Sequence, residues 1–251
     1  MRNVILLFLI LTIYISILFM GCGKTKKTVE SFKVNPKGVL LWPMELKPNN
    51  PELVFGFPDI NGDGKAFNCK EPGYRGHEGT DISITFEMMD MGVDVYAAAD
   101  GIVKWAFDGK FDRCPNPNEP DCMPPSIKTS PGTNDGYTVC TENGNYCKTG
   151  NCCCYWCFNG GNVLVIEHRD TPGVFATRYD HLKKYSLTVF EGDTIKQGQV
   201  IGQIGSSGKS SGPHLHFEVW GKGYYDPIDP WGGSCGTNYN EFSMWTEVFE
   251  L

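Results

Sequence analysis

Short apolar runs separated by Gly, Pro, Asn and Asp recur along the chain from about residue 41. They include Asp94-Val95-Tyr96-Ala97, Ile102-Val103-Lys104-Trp105, Val163-Leu164-Val165-Ile166, Gln199-Val200-Ile201-Gly202 and His216-Phe217-Glu218-Val219. Runs of this length bounded by turn-forming residues read as strands, and no long stretch shows helical periodicity, so the pattern predicts an all-β fold. Alternation in Asp81-Ile82-Ser83-Ile84-Thr85-Phe86 predicts a turn entering a strand, with Asp81 on the face away from Ile82 and Ile84. In the final motif, His214 and His216 share one strand face while Leu215 and Phe217 point into the core.

Two regions break the pattern. Val4 to Met20 is apolar apart from Thr12, Tyr14 and Ser16, and follows Arg2, so residues 1–21 read as an export signal. The run ends at Phe19-Met20-Gly21-Cys22, which resembles a bacterial lipoprotein processing site in which Cys22 becomes lipid-modified. The rival is an uncleaved anchor, since 17 apolar residues just span a hydrocarbon core. Lys24, Lys26 and Lys27 would then be exported against the preference for cytoplasmic positive charge. Residues 22–40 are expected to be a tether and 41–251 the folded domain. Within that domain, residues 108–161 are rich in Pro, Asn, Gly and Cys and poor in Val, Ile and Leu, and read as a disulfide-stapled insertion.

Eleven cysteines change the picture further. Setting Cys22 aside leaves an even number in an exported chain, so disulfides are the expected state. Eight lie between Cys114 and Cys157, leaving Cys69 and Cys235 as a possible pair across the domain. A thiolate metal cluster on Cys154 and Cys157 is the competing reading. The net charge of −7 offers no basic stripe, so nucleic acid is not an expected partner. Recognition must come from a shaped site rather than from bulk charge.

The chemistry concentrates in the histidines. Of five in the chain, His77 lies in Arg75-Gly76-His77-Glu78-Gly79-Thr80-Asp81, His214 and His216 in Gly212-Pro213-His214-Leu215-His216-Phe217, and His181 in Tyr179-Asp180-His181-Leu182. A hydrolytic zinc site takes three protein ligands and keeps one position open for water. His77 and Asp81, four apart, can supply two, and His216 a third from a distant strand. Glu78 invites comparison with a His-Glu-x-x-His helix, but Asp81 occupies the second histidine's place and Gly79 weakens a helix, so Glu78 is a poor candidate for a base. His168, at the end of a predicted strand, reads as structural. Asp59-Ile60-Asn61-Gly62-Asp63-Gly64 has the one-three-five spacing and sixth-position Gly of a calcium loop. Lys70 stands where a bidentate Glu is expected, which leaves a smaller calcium-binding loop or a plain Asx-held turn. Trp156, Trp220, Tyr224, Tyr225 and Trp231 could stack on sugars or serve packing.

His77-x-x-x-Asp81, then Tyr179-x-His181-Leu182, then Gly212-Pro213-His214-Leu215-His216-Phe217-Glu218, in this order, resemble the lysostaphin-type zinc endopeptidases of bacterial cell walls. Val95 to Val103, Glu191-Gly192-Asp193, Gly198 to Gly202 and Gly205-Ser206-Ser207-Gly208 resemble the family's flanking segments. The resemblance implies an antiparallel β-sheet peptidase domain in which His77, Asp81 and His216 bind one zinc ion. It implies that His181 and His214 act on the water and the transition state, and that the substrates are peptidoglycan peptides. The expected location is extracytoplasmic, in the periplasm or at the cell surface, on a membrane-anchored lipoprotein. The 100 residues from Asp81 to His181 depart from the family's spacing through the Cys-rich insertion. A non-catalytic wall-binding protein or hydrolase activator on the same scaffold would be expected to have lost ligands, and none is lost here. An adhesion module with a structural zinc site is a third reading.

Overall fold

The computed structural model describes residues 38–110, 112–113, 160–235 and 243–247, all within one compact unit spanning 34–251. The segment read as an export signal, Cys22, most of the expected tether, Trp156 and the eight cysteines from Cys114 to Cys157 lie outside the described residues. Among the described residues no helix is long and apolar enough to cross a membrane.

Among the described residues ten strands carry the fold: β1 (Val54–Gly56), β2 (Thr80–Ser83), β3 (Asp94–Tyr96), β4 (Gly101–Phe107), β5 (Val163–Glu167), β6 (Ala176–Asp180), β7 (Thr194–Ile195), β8 (Val200–Gln203), β9 (His214–Trp220) and β10 (Pro227–Ile228). The main antiparallel sheet runs β1-β2-β9-β6-β5-β4-β7, with β10 also on β9, while β3 and β8 form a separate pair. The all-β expectation holds, and each run read as a strand overlaps one. One helix was not foreseen. α1 (Phe86–Met91) cuts short the alternation at Ser83, because the Thr85 side chain accepts from the Met88 amide as an N-cap and Gly92 closes the other end at φ +89°.

β9 is the spine. Its Leu215, Phe217 and Val219 are fully buried, packed in one core with Ile82, Leu164, Ile166, Tyr179, Val95 and Ile201. The fold also takes in Gly38–Leu40, which the sequence reading assigned to the tether: the Val39 and Leu40 amides both donate to Met244 O at 2.8 Å, and Leu40 is wholly buried. Trp42, Trp231 and Trp245 pack edge-on against one another at 5.2–6.0 Å, so Trp231 belongs to the core. Trp220 is likewise buried, whereas Tyr225 stands exposed on the rim. Cys69 and Cys235 are disulfide-bonded with Cα atoms 5.1 Å apart, the pairing that the cysteine count left open.

His168 is buried, its Nδ1 2.8 Å from Asp100 O and its Nε2 2.8 Å from Thr177 Oγ1. Burial outweighs the Asp100 contact and lowers its pKa below the ordinary value of about 6.5. The neutral ring's contribution to stability is therefore complete above that pH and lost as pH falls below it. His168→Gln is expected to destabilise the fold by about 1 kcal/mol at pH 8 and by less at pH 5, a difference that urea unfolding at the two pH values measures.

Candidate metal centre

Strand register, not sequence proximity, assembles the site. Asp81 on β2 stands opposite His216 on β9, and His216 stands opposite Asp180 on β6. One step along in either direction, Ser83 faces His214 and Arg178 faces Glu218. Directly opposed residues share a sheet face, so these seven side chains occupy the surface opposite the Leu215–Phe217 core. His77 arrives from the turn before β2, where its carbonyl accepts the Asp59 amide at 2.8 Å.

Three donor atoms converge. His77 Nε2 lies 3.1 Å from Asp81 Oδ1 and 3.3 Å from His216 Nδ1, and that nitrogen is 2.7 Å from Asp81 Oδ1. Tetrahedral zinc with bonds of ~2.0–2.1 Å holds its ligand atoms about 3.3 Å apart. Two separations meet that value, and the third has closed to a hydrogen bond, so the set fits the ion. Every ligand also has an outer partner. The Phe57 carbonyl, 2.9 Å from His77 Nδ1, takes its N–H and leaves Nε2 as the free lone pair. Glu218 Oε1 does the same for His216 Nε2 at 3.1 Å, directing Nδ1 inward, and the Tyr74 hydroxyl donates to Asp81 Oδ2 at 2.8 Å. Asp180, His216 and Glu218 form a second acidic group, but Arg178 bonds both oxygens of Asp180 at 2.8 Å and reaches Glu218 at 3.4 Å. A cation is already supplied there.

Beside the triad, the rings of His181 and His214 lie 4.5 Å apart, and His214 Nε2 is 3.9 Å from Asp81 Oδ1. His181 adopts φ +61°, a left-handed conformation that costs a non-glycine residue ~1–2 kcal/mol. Its amide donates to Gly160 O at 2.7 Å and its carbonyl accepts from Gly205 at 3.0 Å, contacts that hold the turn. Its Nδ1 is 2.7 Å from Ser207 O, and that of His214 is 2.8 Å from Gly212 O. Both Nδ1–H groups are thereby committed to carbonyls, leaving both Nε2 atoms as lone pairs.

Hydrogen-bond partners sort the imidazoles. Burial, then the charges of His214 and His216, pushes His181 down to about 3, and burial likewise lowers His214. Burial opposes charge on His216 too, but hydrogen bonds to Asp81 and Glu218 outweigh it and push this ring up. Asp81 is held well below the carboxylate range, since His216 and His77 overcome the cost of its burial. All of this faces a cleft of about 620 Å³ whose wall includes Tyr74, Glu78, Ser83, Lys209, Ser211 and Asp180. Gly79 makes the close approach possible: a Cβ there would lie 2.6 Å from Phe217 O and 2.9 Å from His216 Nε2.

The structure thus brings His77, Asp81, His181, His214 and His216 together, and leaves His168 in the core. Glu78 is on the cleft wall and outside the triad. Sequence reasoning missed Tyr74, Arg178, Asp180 and Glu218 as partners. Period-two spacing of His214, His216 and Glu218 on one strand was the available signal for the last.

Part of the chain is similar to known peptidases. Residues 139–230 match the family model of peptidase family M23, a span that contains His181, His214 and His216 and begins after His77 and Asp81. Peptidoglycan DD-endopeptidase ShyB of Vibrio cholerae serotype O1 is 51% identical over 59 residues, 24% of this chain and 13% of that protein. ShyA, a peptidoglycan DD-endopeptidase of the same organism, is 38% identical over 85 residues, 34% and 16% of the two chains. Lysostaphin of Staphylococcus simulans is 46% identical over 61 residues, 24% and 12%. The aligned stretches span 12–16% of the lengths of these relatives.

Tyr74→Phe removes only the hydroxyl that holds Asp81 Oδ2. It is expected to weaken metal affinity by about 10–100-fold with the fold intact, as measured by competition with a chromogenic chelator and by circular dichroism.

Proposed function

We propose, from the match of residues 139–230 to peptidase family M23 and the similarity to peptidoglycan DD-endopeptidases, that the protein is a zinc-dependent endopeptidase hydrolysing peptide bonds in peptidoglycan. The observation that carries the reading is the convergence of His77 Nε2, Asp81 Oδ1 and His216 Nδ1 beside two imidazoles with unprotonated Nε2 atoms. Three protein ligands leave a fourth tetrahedral position, the arrangement of hydrolytic rather than structural zinc sites. Zinc, when bound, lowers the pKa of water to about 7 and polarises a carbonyl.

The remaining work falls to this chain's residues. His181 and His214 are neutral and fixed in one tautomer, so either Nε2 can accept the proton of an attacking water. The imidazole that has accepted it becomes an Nε2–H donor, able to stabilise the oxyanion or protonate the departing amine. Glu218, kept charged against its burial by His216 first and then Arg178, steadies the His216 ring. Small side chains at Ser83 and Ser211 leave the cleft open to an extended peptide. With a net charge of −7, the protein selects substrate by the shape of this cleft. The same proposal places the enzyme outside the cytoplasm on a lipidated Cys22, a reading supported by the export signal and the residues before that cysteine.

Purified sacculi incubated with the soluble fragment from Lys24 onward should release new peptide amine ends, and a chelator should abolish them. Sedimentation with sacculi without new ends would replace the enzyme by a wall-binding protein. His181→Ala should retain stoichiometric zinc while losing ~10²–10⁴ of the rate. Loss of zinc in that variant would show that His181 is a ligand instead.

A further inference from the structure

The loop from Asp59 to Lys65 takes no part in the reaction just described, yet it is joined to the segment bearing His77. The Asp59 amide donates to His77 O at 2.8 Å, and the Gly76 amide to Asp59 O at 3.1 Å. Asp59 is wholly buried. Its Oδ2 accepts the Gly64 amide at 3.1 Å, but its Oδ1 is buried and receives no hydrogen bond. A carboxylate oxygen in that position is costly unless a cation meets it.

The surroundings supply what a cation would need. Asn61 Oδ1 accepts the Asp63 amide at 3.1 Å and Asp63 Oδ1 accepts the Lys65 amide at 2.9 Å, curling the loop so that oxygens recur at its first, third and fifth positions. Gly62 and Gly64 take φ of +70° and +81°, and the second of these supplies the glycine that a calcium loop uses at its sixth position for a sharp turn. Gly73 packs bare backbone on the same carboxylate, since a Cβ there would lie 2.8 Å from Asp59 Cβ. We propose that residues 59–65 bind a calcium ion, with Asp59 Oδ1 as the inner ligand and the side-chain oxygens of Asn61 and Asp63 and the Lys65 carbonyl completing the protein's share.

Only two of these ligands are carboxylates, Asn61 and Asp63 are exposed, and Lys70 replaces the bidentate Glu of a complete twelve-residue loop. Affinity therefore belongs to the weak class, about 10⁻⁴–10⁻³ M, that suits extracellular modules. Magnesium demands near-ideal octahedral geometry and sheds water reluctantly, so the loop favours calcium. A bound ion would stiffen the turn that presents His77, and that consequence alone rests on the peptidase reading.

The full chain, saturated with zinc so that His77, Asp81 and His216 are occupied, should bind calcium with a Kd of about 10⁻⁴–10⁻³ M by isothermal titration. Its melting temperature should rise by a few degrees at ~10 mM calcium and much less at equal magnesium. Asp63→Ala, at an exposed position, should weaken binding at least ~10-fold while melting normally without calcium, and Asp59→Asn should abolish it. Absence of a calcium effect in the parent protein, an equal effect of magnesium, or an undiminished effect in Asp63→Ala would overturn the site. Binding is read directly, so inactivity on sacculi would not touch this result.

Discussion

The register of β9 between β2 and β6 is the constraint on which the rest depends. Side chains alternate along a strand, so a one-residue slip would send Leu215, Phe217 and Val219 to the cleft and His214, His216 and Glu218 into the core. Each buried apolar side chain is worth about 1.5–3 kcal/mol, which makes the slipped pairing inaccessible. The hydrophobic effect therefore aligns Asp81, His216 and Asp180 in a row across three strands, with no contribution required from the ligands themselves. Ligand groups whose unmetallated charges repel or compete can be carried by such a frame because packing has already fixed their backbones.

Four imidazoles crowd the cleft, and their chemistry is divided by what lies behind each ring. Carboxylates back His216 on both sides and favour positive charge, so that ring is suited to an anion-rich, cation-binding corner. Backbone carbonyls back His181 and His214, which settle a tautomer without supplying net charge and leave burial to keep the rings neutral. His77, backed by the Phe57 carbonyl at Nδ1, presents Nε2 to the same carboxylate, 3.1 Å from Asp81 Oδ1. His216 on one side and His181 and His214 on the other thus acquire different proton affinities, burial acting on all three and carboxylate partners outweighing it only at His216.

Much of this was legible in the chain because alternation is a local signal. The strands around Val95, Val103, Val165, Ile201 and Phe217 follow from short apolar runs between turn residues, and the shared face of His214 and His216 follows from period two. His77, Asp81 and His216 were nominated by residue type and zinc's need for three ligands, and the resemblance of three motifs in order pointed to the same set, since pairing between residues 135 apart leaves no trace in spacing. Glu218, Arg178 and Asp180 were unread for the same reason: their roles exist only once β6 lies beside β9. Helix α1 escaped because its six residues are too few to show a period, and its cap at Thr85 was visible only as one threonine among alternating residues. Leu40 was given to the tether because its burial depends on Met244, two hundred residues away.

The stems of the Cys-rich segment are clamped together at the sheet. β4 and β5 pair as far as Phe107 opposite Val163, and the Asn162 side chain then both accepts the Lys110 amide at 2.7 Å and donates to the Lys110 carbonyl at 2.9 Å. Asp112 continues the closure by accepting the Ser206 and Lys184 amides at 2.7 and 2.9 Å. The sheet is thus closed both where the chain leaves it and where the chain returns. Such an attachment point insulates the strands below it from the length and composition of residues 114–159, because the closing bonds lie outside that segment.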